Sequence, residues 1–153
     1  MMGTPLDEAQ QALIVSEAQA FSERVRSPEG REAYQRLARE AGSGQVSDDR
    51  LAILGSLLEV GLGTGRIRAL YDAHAEAAAA KLFRSTPQGQ ERAAQIRAVN
   101  EALEALRGHT LEKASITSRS AGSFSLTFQT ESTKLVISLS PAGAEIRSFE
   151  VSL

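Results

Sequence analysis

The chain has 153 residues, a formal net charge of −2, 42% apolar and 24% charged residues, and no cysteine. These proportions belong to a folded globular chain with one ordinary core, which excludes wholesale disorder, and the missing thiols exclude disulfides, thiolate metal sites and cysteine nucleophiles. The near-neutral balance also excludes a polycation, so any phosphate-binding face has to be local.

The first helix starts near Thr4-Pro5, a capping residue followed by a proline suited to the first helical position, with Asp7 and Glu8 favouring the positive helix end. Leu6, Leu13, Ile14, Phe21 and Val25 then recur on one face at helical spacing. Ser27-Pro28-Glu29 restarts the helix, because proline removes a backbone donor, and Ala33, Tyr34, Leu37, Ala38 and Ala41 form the next apolar stripe. Gly42-Ser43-Gly44 stops it. Ser47-Asp48-Asp49 caps a third helix whose buried stripe is Leu51, Leu54, Leu57 and Leu58. Gly61-Leu62-Gly63-Thr64-Gly65 interrupts the pattern, and a fourth helix is expected through Ile67, Leu70, Tyr71 and His74 to Leu82 and Phe83. Ser85-Thr86-Pro87 opens a fifth helix, which carries Ala93, Ile96, Val99, Leu103 and Leu106 toward the core and ends at Gly108.

The hydrophobic period then changes from 3.6 to 2. Phe124, Leu126 and Phe128 alternate with polar residues, as do Leu135, Ile137 and Leu139, and Phe149, Val151 and Leu153; Ala114 and Ile116 mark a weaker first strand. Turn residues separate these runs at Ser120-Ala121-Gly122, Glu131-Ser132-Thr133 and Pro141-Ala142-Gly143. Ile146 is out of phase with Phe149, so a bulge is expected near Arg147-Ser148. The expected fold is α+β: about five helices over residues 1–108, then an antiparallel β-meander of three to four strands over 109–153, with the last helix packed on one sheet face and a single shared core. With aromatic residues at 5% and no tryptophan, that core rests on Leu, Ile, Val and Ala.

Few residues are arranged for chemistry. His109 follows a helix-ending glycine, and His74 sits on a helix with Asp72 and Glu76 at spacings that place only the two carboxylates on a common face. No serine lies in a nucleophile elbow, and no glycine-rich phosphate loop ends in Gly-Lys-Ser or Gly-Lys-Thr. No catalytic residue, metal ligand or cofactor is assigned. No run of about 18 apolar residues offers a membrane span. The first residues lack the basic segment and apolar run of a secretory signal, so the expected compartment is the cytoplasm, without a membrane partner.

The segment Leu57 to Tyr71 admits several readings. Leu58-Glu59-Val60-Gly61-Leu62-Gly63-Thr64-Gly65 resembles the first motif of S-adenosylmethionine-dependent methyltransferases, a resemblance that implies a β-strand closed by a glycine loop against that cofactor. The same residues resemble a helix-hairpin-helix motif, which implies binding of the DNA backbone. Gly61-Leu62-Gly63 is then the hairpin, the peptide groups of Gly61, Gly63, Thr64 and Gly65 approach phosphate, and Arg66 and Arg68 supply charge; Val60 stands where that family commonly has proline. The segment also resembles a helix-turn-helix, with Gly61 in the turn and Arg66 and Arg68 opening a recognition helix, although Leu57 is large where that motif has a small residue. As a plain helix corner, Gly61 is the left-handed cap of one helix, Thr64 caps the next and Leu62 plugs the core.

The sheet supplies the other candidate surface. Its polar face carries Ser123, Ser125, Thr127 and Gln129, which are expected to meet water or a protein partner. The functional expectation is a non-catalytic interaction or assembly module that binds a protein or a second copy of itself. Weak, salt-dependent nucleic-acid binding through residues 61–68 is the alternative, and methyl transfer a further one.

Overall fold

A computed structural model describes residues 2–152. In chain order it has β1 (Gly3–Pro5), α1 (Glu8–Arg24), α2 (Pro28–Gly42), β2 (Gln45–Ser47), a 3-10 turn at Asp48–Arg50, α3 (Leu51–Gly63), α4 (Arg66–Leu70), α5 (Ala73–Phe83) and α6 (Pro87–Glu104). Four longer strands follow: β3 (Lys113–Ser120), β4 (Ser123–Gln129), β5 (Thr133–Ser140) and β6 (Gly143–Val151). The fold is α+β, with helices followed by an antiparallel meander in the order β3-β4-β5-β6. The chain divides into two compact units, Met1–Gln90 and Glu91–Leu153, so the division falls within α6 and not at Gly108, where the hydrophobic period changes.

Local chemistry explains the helix boundaries in the first unit. Ser27 caps α2 by accepting the Gly30 N–H, and Pro28 occupies its first turn, as the sequence indicates. The start of α1 differs from expectation. Asp7, not Thr4, is the cap: its carboxylate accepts the Gln10 N–H at 2.8 Å, and the Gln10 carboxamide accepts the Asp7 N–H at 3.0 Å. Thr4 is thereby released into β1, which pairs with β2 so that Thr4 faces the buried Val46. The expected fourth helix is also two helices. Tyr71 and Asp72 leave helical geometry, and the Asp72 carboxylate caps α5 through the Ala75 N–H at 2.7 Å. The buried cluster of this unit includes Leu13, Ile14, Leu37, Leu54, Leu57, Leu58 and Ile67.

Thr86 opens α6. Its side chain is buried, donates to the Phe83 carbonyl at 2.6 Å and accepts the Gly89 N–H at 3.1 Å. From Glu91 onward the helix belongs to the second unit, where Val99 and Ala102 are buried with Leu135, Ile137 and Ala144. Leu103, Leu106, Leu126, Phe128 and Leu139 pack around that cluster. The strand register sets every apolar residue of the alternating runs on one face: Ile116 opposite Leu126, Leu126 opposite Ile137, and Leu135 opposite Phe149. The expected bulge is present, since Ile137 faces Ile146 while Val136 faces Ser148, leaving Arg147 as the extra residue of β6.

Burial is uneven across that apolar face. Leu135 and Ile137 on β5 are fully covered, whereas Ile116 on β3 is 58% exposed, and Phe149 and Val151 on β6 are 44% and 55% exposed. The alternation of the final strand thus does not bring burial, and Ile96 of α6, expected to face the core, is exposed as well; Leu153 lies outside the described residues. The cause is width. A helix is about 10 Å across and strands lie about 4.8 Å apart, so one helix covers about two strands of a four-strand sheet. Leu135→Ala is therefore expected to cost about 2–5 kcal/mol in a denaturant titration. Val151→Ala, at an exposed position of the same face, is expected to cost under about 1 kcal/mol.

Candidate functional site

Both candidate regions are built by local rules. In the first unit, α3 runs through Gly63, so Gly61, Leu62 and Gly63 are its last turn. The strand that a methyltransferase motif requires at Leu58–Val60 is helical, and all paired strands among the described residues are antiparallel. The reversal comes later, at Thr64-Gly65. Gly65, with φ +72°, takes the left-handed conformation expected of Gly61. Gly61 is needed for another reason: it is buried, and a Cβ there would lie 2.7 Å from the Ile67 Cδ1, so the missing side chain lets Ile67 seat against α3. Thr64 does not cap the following helix. Its hydroxyl donates back to the Val60 carbonyl at 2.6 Å. Leu62 is half-buried against the core, as a plug should be.

Arg66 and Arg68, paired in the sequence reading, have different surroundings. Arg68 is exposed. Arg66 is an ion-pair partner of Glu17, its Nε 2.9 Å and its Nη2 3.4 Å from the two carboxylate oxygens. Glu17 is 1% exposed and stands on α1 among Leu13, Ile14 and Ala18. Tyr71 completes the cluster: its hydroxyl donates to Glu17 Oε1 at 2.9 Å and lies 2.8 Å from the Ser16 hydroxyl. A buried carboxylate is stable only when its oxygens are satisfied, and the first and last positions of this short turn of chain supply the donors. The arrangement ties the two ends of α4 to α1. The hydrogen bond to Glu17 raises the Arg66 pKa further above its already high ordinary value. Arg68 is exposed, and a Cβ added at Gly63 or Gly65 would meet open space.

The sequence reading missed Glu17, which lies 49 positions from Arg66. A carboxylate inside the apolar stripe of α1 was the available signal. His74 and Lys81 border an alanine-walled groove of about 700 Å³ between α1 and α5, which also includes Asp7. Asp72 is spent on its helix cap. Among the described residues no three His, Asp or Glu side chains are grouped to hold a metal ion.

In the second unit, Ser123, Ser125, Thr127 and Gln129 alternate with Phe124, Leu126 and Phe128 on β4, and all four are half-buried. They lie on an interior strand, between β3 and β5. The exposed apolar residues are on the other face and nearer its edges: Ile116 on β3, Phe124 at the end of β4, and Ile146, Phe149 and Val151 on β6.

Burial raises the pKa of both tyrosines above 10, Tyr34 by desolvation alone and Tyr71 by desolvation with a contribution from Glu17, partly opposed by the Ser16 hydrogen bond. A group whose folded pKa is raised favours its protonated form in the fold. The corresponding stability is complete below about pH 10 and is lost as pH rises through the folded values. An alkaline titration of phenolate absorbance should therefore place both tyrosines above the free value in the folded protein, and Tyr71→Phe should leave one transition. Arg66→Ala should lower the melting temperature by several degrees, whereas Arg68→Ala should leave it nearly unchanged, because only the first strands a buried carboxylate. Comparison of the chain with family models, curated proteins and solved structures finds no match to any of them.

Proposed function

We propose that the chain is a non-catalytic interaction and assembly module that associates with a second copy of itself through the side of the sheet that α6 leaves uncovered. One observation carries the reading. The apolar row continues past the helix into β6, where Ile146, Phe149 and Val151 are all more than one-third exposed. An exposed apolar row beside an open strand edge marks a contact surface, since water is a poor neighbour for both. The polar row Ser123, Ser125, Thr127 and Gln129 lies on the opposite face and supports contact less well, because its half-buried hydroxyls and amide present little apolar area.

The nucleic-acid reading has weaker support. Its first arginine is held by Glu17, its hairpin glycines lie within a helix, and the formal charge is −2. No described helix is long and apolar enough to cross a membrane.

Sedimentation velocity over a roughly hundredfold concentration range, reaching several hundred micromolar, tests the proposal. A reversible shift to a larger species is expected. Phe149→Ser with Val151→Ser should abolish it, and Ser125→Ala with Thr127→Ala should not. A protein that stays monomeric throughout overturns the proposal. Retention on duplex DNA at low salt, lost on Arg68→Ala, would move the reading to nucleic acid.

A further inference from the structure

We propose that β6 is a self-complementary edge: two copies pair their β6 strands antiparallel about a two-fold axis at Ile146, so that Glu145 of each copy faces Arg147 of the other. The inference rests on the self-association reading and adds to it the edge, the register and the partner.

The sheet has two edges, β3 and β6, and charge decides between them. Closed two-copy contacts are isologous, so a strand pairs with its own reverse. In β6 the sequence Glu145-Ile146-Arg147 reads as opposite charges about an apolar centre. Pairing about Ile146 sets Ile146 against Ile146 and produces two Glu145–Arg147 cross-strand pairs. The pairing stops there, because the bulge at Arg147 puts Ser148 and Phe149 on the faces opposite to Ala144 and Gly143. The same operation on β3 about Ile116 sets Lys113 against Arg119, a like-charge pair on each side of the axis. One edge attracts its own copy and the other repels it.

The side chains concerned are accessible. Glu145 and Arg147 are exposed, and Ile146 is 38% exposed. Glu145 is steadied by Gln95 of α6, whose Nε2 donates to Oε1 at 3.2 Å, which leaves the second carboxylate oxygen for an arginine. Arg147 is the extra residue of the bulge. A bulge limits how far an edge can extend pairing, so the contact is confined to the few residues about Ile146. A contact of that length, with the exposed row of β6 beside it, falls below the roughly 800 Å² per partner of a standard interface, which sets the expected dissociation constant in the micromolar range or weaker.

The chain has no cysteine, so a single introduced thiol reports the register directly. Residues directly opposite in an antiparallel pair have Cα atoms about 4.5–5.5 Å apart, within disulfide range. Ile146→Cys should give a covalent dimer under mild oxidation at concentrations where the unmodified protein associates, and Ile116→Cys should not. Glu145→Arg alone, and Arg147→Glu alone, should each weaken association about tenfold or more by setting like charges opposite each other, and the double reversal should restore it. Circular dichroism of each variant separates lost association from lost folding. A protein that dimerises without cross-linking at 146 and without charge-swap rescue overturns the register and leaves the assembly reading standing. Cross-linking at 116, or growth into open-ended species, shows that β3 takes part and also overturns it. A strictly monomeric protein overturns both.

Discussion

One helix cannot cover four strands. This mismatch of widths governs the second unit: α6 buries Leu135, Ile137 and Ala144 with Val99 and Ala102, and the apolar row of the sheet runs on without cover. The pleat fixes which residues share a face, but it does not provide the layer that removes them from water. Strong alternation in β6 therefore coexists with high exposure. Side chains such as Phe149 and Val151 contribute less to folding than their alternation suggests, because about half of their area stays in water.

A different constraint organises the first unit. Glu17 is a carboxylate in an apolar neighbourhood, and the polar groups around it are Arg66, Tyr71 and, next to Tyr71, Ser16. These contacts fix the short α4 at both ends and take up the arginine that a phosphate-binding hairpin would use. Removing one member of such a cluster costs more than the cluster contributes as a whole, because the remaining charge stays buried. The cluster is thus better understood as holding the chain's path than as a reactive centre.

What could be read from the sequence followed the range of the forces involved. The change of hydrophobic period, the Ser27-Pro28 and Thr86-Pro87 helix starts and the bulge at Arg147 depend on neighbours within a few residues, and all are present. The short β1–β2 pair was not legible, since three-residue strands separated by two helices carry no periodic signal of their own. Displacement of Thr4 by Asp7 shows that two good capping residues three apart are resolved by which one gains a reciprocal partner, here Gln10. The roles of Gly61 and Gly65 were exchanged for a related reason. Glycine serves equally for a left-handed turn and for close packing, and only the position of Ile67 decides which is needed at Gly61. Of the candidate site, the segment 61–68 was recognisable as a corner, but the pairing of Arg66 with the buried Glu17 is a long-range fact.

The central claim, that the uncovered side of the sheet is completed by a second copy at β6, is most directly tested by amide hydrogen exchange at two protein concentrations. In dilute solution the outward-pointing amides of β6 face water and should exchange fast, as should those of β3. At high concentration the amides about Ile146 should become protected while those of β3 stay fast. Exchange in β6 that is the same at both concentrations, or protection that appears at β3 instead, would contradict the account.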